Sequence, residues 1–183
     1  MKNRNNLLKM IFAALFLSLA YVMPFLTGQI PKLGSMLCPM HVPILLCGFI
    51  CGWQWGLVLG LIAPLMRSLT LGMPPLFPVA VCMAAELAAY GAFSGLMHKV
   101  LPKKKPYIYC SLLAAMAAGR LIWGAAMFVC VGIKGGSFTL TAFLSGAVIN
   151  AVPGIIVQIV LVPILVMLLE RVTASQKEQG KPL

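Results

Sequence analysis

At 183 residues the chain is long enough for one compact domain, yet 61% of it is hydrophobic and only 9% is charged. A soluble fold of this size needs more charge than that to cover its surface, which leaves an integral membrane protein. The net charge of +11, from fourteen Lys and Arg against three acids, falls mostly in short loops and tails; there it orients a membrane chain and argues against a nucleic-acid partner.

The apolar runs are continuous instead of alternating, so the expected spans are helices and not barrel strands. The fold class expected is an all-α integral membrane protein: a six-transmembrane-helix bundle, both termini cytoplasmic, forming one membrane domain over residues 1–183. The six cysteines form no CxxC pair and read as small packing residues.

In chain order, a basic start (Lys2, Arg4) precedes the first span, 7–26. It continues past Ser18-Leu19-Ala20, the one stretch resembling a cleavage site, and is read as a retained anchor. Ala14 and Ser18 lie one turn apart, a spacing that lets helices approach closely, within the bundle or against a partner. Residues 28–40 form a loop with Gly28, Pro31, Lys32, Gly34 and Pro39. The next two spans, 41–52 and 56–71, are short and joined by Gly52-Trp53-Gln54-Trp55-Gly56; a re-entrant hairpin is the other reading. A turn at Met73-Pro74-Pro75 leads to the fourth span, 77–97. The basic loop His98 to Pro106 and the fifth span, 107–131, follow. A glycine-rich link carrying Lys134 then leads into a long run, 138–169, in which Pro153 and Pro163 are expected to bend the helix.

With both termini inside, the inner segments hold Lys2, Arg4, Lys9, Lys99, Lys103, Lys104, Lys105, Arg171, Lys177 and Lys181, against Lys32 and Lys134 outside. Ten against two sets the orientation by the positive-inside rule.

At 1.5 Å per helical residue, Glu86 lies about 13 Å below the outer surface and Arg120 and Asn150 about 16 Å. Arg67 and His41 belong nearer the outer mouth. Ionisable groups at such depth face a bundle interior or a cavity and require partners. A Glu86–Arg120 ion pair closed by Asn150 is the structural reading. The functional reading is an outward-facing small-molecule site, with Tyr90 one turn from Glu86, Trp123 one turn from Arg120, and two arginines against one glutamate favouring an anionic ligand. Met36, Cys38, Met40 and His41 form a soft-ligand cluster that raises a copper-type permease as an alternative. No catalytic motif and no nucleotide-binding loop is present, so the chain reads as a non-enzyme without a cofactor, unable to drive transport with ATP itself.

Several segments together resemble the substrate-binding S-component of energy-coupling factor (ECF) vitamin transporters. They are the small-residue first helix, His41-Val42-Pro43-Ile44-Leu45-Leu46 to Gly52 and Gly56, the Arg67 to Pro78 turn, Gly119-Arg120-Leu121-Ile122-Trp123, and Pro153-Gly154-Ile155-Ile156-Val157-Gln158 with Pro163. The resemblance covers nearly the whole chain. It implies a cell-membrane subunit that captures a vitamin in its outer half and associates with a membrane coupling subunit and two cytoplasmic ATPases. It also implies docking through an AxxxA-type stripe on the first helix, here Ala14 and Ser18. The chain lacks the N-terminal histidine signature of nickel and cobalt members, beginning Met1-Lys2-Asn3. The substrate-binding residues expected are Arg67, Glu86, Tyr90, Arg120, Trp123, Asn150 and His41. A small carboxylate such as pantothenate is the leading ligand and riboflavin or another flat vitamin the runner-up. A non-transport assembly protein with a structural ion pair is the reading from a different class.

Overall fold

A computed structural model describes residues 2–27, 37–102 and 104–178. The loop features Gly28, Pro31, Lys32, Gly34 and Met36 lie outside the described residues, as do Lys103 and Lys181. The described chain is helical throughout: α1 (Lys2–Val22), α2 (His41–Cys51), α3 (Trp53–Leu71), α4 (Val81–Val100), α5 (Lys105–Ile133), α6 (Leu140–Leu144) and α7 (Val152–Glu178). A tight 3-10 turn, Met23–Thr27, closes α1. Wide π-type turns precede α4 (Leu76–Ala80) and follow α6 (Ser145–Ile149).

Among the described residues, five segments are long and apolar enough to cross a bilayer: Asn6–Phe25, Trp53–Leu71, Leu76–Val100, Lys105–Ile133 and Val152–Arg171. The sixth, α2, has 11 residues, about 16 Å at 1.5 Å each, or half a hydrocarbon core of roughly 30 Å. Ten of those 11 are buried, so α2 is an inner half-helix wrapped by α1, α3, α4 and α7.

The reversal from α2 into α3 takes one residue, Gly52, at φ 99°, a conformation open to glycine and strained for other residues. The aromatic turn expected over Gly52–Gly56 is therefore absent. Trp53 already opens α3, because Gly56 is needed inside the helix for packing. A Cβ on Gly56 would lie 2.5 Å from the Gly91 carbonyl oxygen, one on Gly91 2.2 Å from the Gly56 oxygen, and one on Gly60 2.3 Å from Leu87. Gly48 and Gly95 complete this seam where α2, α3 and α4 touch backbone to backbone. In lipid, where apolar burial gives little drive for association, such close approach supplies the packing that holds helices together.

The last run also departs from the expected single bent helix over 138–169. It is broken into α6, the π-type turn and α7, with the break at Asn150-Ala151. Pro153 sits in the first turn of α7 and starts that helix, since the N–H it lacks would be unsatisfied there in any case. Pro163 lies within α7.

Candidate functional site

Because α2 ends against Gly95, near the basic end of α4, and is only half a bilayer long, its first residue sits deep in the bundle. His41 is consequently level with Glu86 and not, as depth counting suggested, with Arg67 near a membrane surface. Its Nε2 lies 3.5 Å from Glu86 Oε1, and its ring meets Tyr90 edge-on with centroids 5.0 Å apart. The α2 N-cap is Met40, which supplies no side-chain cap, and the His41 N–H reaches back to the Cys38 carbonyl at 3.0 Å.

Two helices deliver the charges. Glu86 comes from α4 and Arg120 from α5, with Arg120 Nη1 2.9 Å from Glu86 Oε1. That distance makes a contact ion pair, yet no N–H is aligned on Oε1 as a hydrogen bond requires. Glu86 Oε1 therefore keeps acceptor capacity. Arg120 Nη2 donates to the Cys38 Sγ at 3.9 Å, a weak acceptor.

The cluster is rich in buried polar atoms without hydrogen-bond partners: Tyr90 Oη, Arg120 Nε, and both ring nitrogens of His41. On α7, Gln158 is fully buried with both amide atoms likewise unpartnered. Buried polar groups in native proteins are nearly always satisfied, so the orphan atoms of His41, Tyr90 and Arg120 beside the Glu86–Arg120 pair make that cluster the candidate site. Gly119 makes room for the Tyr90 ring: a Cβ there would lie 2.5 Å from it.

The other expected site residues are elsewhere. Arg67 is buried, but its Nη1 donates to the Tyr21 carbonyl at 3.0 Å and its guanidinium lies 5.2 Å from the centre of the Phe25 ring. It holds the end of α1, where carbonyls lack helical partners and the dipole favours a cation. The positive surplus expected from two arginines is thus not assembled around Glu86. Asn150 is exposed, bonded to Ser145 Oγ at 3.4 Å. The break before α7 lifts it to the helix end, away from the level assigned by counting through an unbroken run. Trp123 stacks with Phe143 (6.3 Å, 30°) and meets Phe138 edge-on at 6.1 Å, which pins the α6 segment over α5. Among the described residues no group of three or more His, Cys, Asp and Glu is placed to hold a metal ion. Cys38 and His41, half of the soft-ligand cluster, are turned to Arg120 and Glu86 instead.

Sequence reasoning weighed Cys38 only as a soft-metal ligand, whereas it lies against Arg120, and it gave no role to the buried Gln158 or to the glycine seam. The seam did leave a signal, since Gly48, Gly52, Gly56 and Gly60 recur every fourth residue, as do Gly91 and Gly95.

The family model described as ECF transporter, substrate-specific component, matches residues 8–166. The chain belongs to this family. It is a multi-pass cell-membrane S-component, the substrate-binding subunit of an uptake system and not an enzyme, and it works with an ECF module of coupling and ATPase subunits. No curated protein and no solved structure matches the chain. The family makes the chain a substrate-binding subunit, and the buried cluster of His41, Glu86, Tyr90 and Arg120 is the candidate for its site.

Proposed function

We propose that this S-component captures a small carboxylate of the pantothenate type from outside the cell, at the cluster of His41, Glu86, Tyr90 and Arg120. The observation that carries the reading is the guanidinium of Arg120. It is tied to Glu86 through one nitrogen and leaves Nε unpartnered and Nη2 against a thiol. A ligand carboxylate exchanges that thiol contact for a charge-assisted hydrogen bond, roughly twice as strong as a neutral one. The uncapped start of α2 adds a half-helix N-terminus at the same depth, a device that binds anionic substrate groups in transporters. Glu86, His41 and Tyr90 then serve the hydroxyl and amide groups of such a ligand. A flat vitamin is disfavoured because the rings it would stack on are engaged: Tyr90 is fully buried against His41, and Trp123 lies against Phe143.

In this reading the half-length α2 makes the sixth crossing, and the ten-to-two basic asymmetry orients both termini to the cytoplasm. Docking to the coupling subunit uses Ala14 and Ser18. Both are exposed on α1, on the side opposite the buried Ala13, Phe16 and Ala20. Ser18 Oγ bonds back to the Ala14 carbonyl at 3.0 Å, so its hydroxyl is satisfied within the helix and the small side chain lets a partner helix approach. Two cytoplasmic ATPases complete the importer.

Mass spectrometry of the small molecule carried by the protein through purification from native membranes tests the ligand assignment. A low-mass carboxylate is expected. A flat aromatic vitamin overturns the assignment, and so does a cation.

A further inference from the structure

At the end of the bundle opposite Lys134, the last turn of α4, the start of α5 and the Met167–Arg171 stretch of α7 line a cavity of about 230 Å³. Lys104, Lys105 and Arg171 line it, all with exposed side chains. The acid that could neutralise them, Glu170, is drawn to His98 instead, with Nε2 3.1 Å from Oε1. His98 in turn is fixed edge-on against Phe49 at 5.2 Å. Among the described residues, none of the three cations takes part in an ion pair. The pocket also receives the positive end of α5, which begins at Lys105.

We propose that this cavity binds the phosphate headgroup of an anionic phospholipid. Three features select that ligand. The pocket sits where the spans Leu76–Val100, Lys105–Ile133 and Val152–Arg171 begin or end, which is headgroup level whichever way the chain is oriented. It is smaller than the roughly 300–1,000 Å³ pockets that enclose whole drug-sized ligands, so it takes a headgroup while the rest of the molecule stays outside. Its floor turns apolar at Ile108 and Met167, and the sides of α5 and α7 beyond it expose Leu113 and Leu168 to the acyl region. Tyr107, half-buried in the wall, is the amphipathic ring expected at a membrane interface.

The test uses the full-length protein in neutral detergent, titrated with dioleoyl-phosphatidylglycerol or dioleoyl-phosphatidylcholine and read by native mass spectrometry. The glycerol lipid is expected to stay bound at concentrations where the choline lipid leaves the protein bare. Each of Lys104→Gln and Arg171→Gln should weaken it about fivefold, and Lys104→Gln/Lys105→Gln/Arg171→Gln together on the order of 100-fold. Lys104→Arg/Lys105→Arg should retain it, and Lys134→Gln, at the far end, should leave it unchanged. Equal retention of the two lipids overturns the proposal, as does undiminished phosphatidylglycerol binding in the single or triple glutamine variants. Displacement of the lipid by an equal concentration of glycerol 3-phosphate also overturns it, since the site would then belong to a soluble phosphate.

Discussion

Replacing Arg120 by methionine separates the two roles its guanidinium can play. At 2.9 Å and an effective dielectric near 20, the direct attraction to Glu86 is roughly 6 kcal/mol. Desolvation offsets much of that, and deleting one member of a buried pair costs about 3–5 kcal/mol because the other charge is left uncompensated. Among the described residues, the other ion-pair partner left to Glu86 is His41, at 3.5 Å. Arg120→Met should therefore lower the detergent melting temperature by on the order of 10 °C and abolish ligand binding. Glu86→Gln/Arg120→Met removes both charges and should recover at least half of the lost stability, since neutralised pairs are tolerated far better than broken ones. Binding should not return with it. Tryptophan-fluorescence melts and calorimetric titration with the co-purified ligand measure the two quantities separately. If the double variant binds with wild-type affinity, Arg120 is purely structural and the carboxylate assignment fails. If Arg120→Met melts like wild type, the ion-pair energetics are wrong.

Gly91→Ala should destabilise the protein by about 1–3 kcal/mol through overpacking, because its new Cβ meets Gly56 backbone at 2.2 Å, whereas Gly132→Ala, with nothing within 4 Å, should be silent; equal melting temperatures would refute the seam. Ala14→Leu/Ser18→Leu should leave ligand affinity intact while uptake and co-purification of the coupling subunit are lost; surviving uptake places docking elsewhere, and loss of ligand binding means the stripe packs inside the bundle. In a background without the six native cysteines, a cysteine at Lys104 should resist a membrane-impermeant thiol reagent in intact cells while one at Lys134 labels; equal labelling removes the assigned orientation.

The membrane class, the helical spans and the meeting of Glu86 with Arg120 were legible in the chain itself. Each follows from local chemistry. Continuous apolar runs demand helices in lipid, and two opposite charges in neighbouring spans have few other partners at that depth. Which remaining polar residues join that pair was decided by tertiary structure. Depth counted along the sequence assumes that every apolar run is one helix starting at a membrane surface. That assumption breaks at Gly52, where a half-length α2 leaves His41 in the interior beside Glu86. It breaks again at Asn150-Ala151, where a new helix start puts Asn150 in the open. Arg67 was equally undecidable from its neighbours in sequence. Its partner is the Tyr21 carbonyl, 46 residues away, and a backbone carbonyl leaves no residue-type signature. Composition therefore determines that buried charges exist and must pair, but only the packing of helix ends and glycine seams determines which atoms they reach.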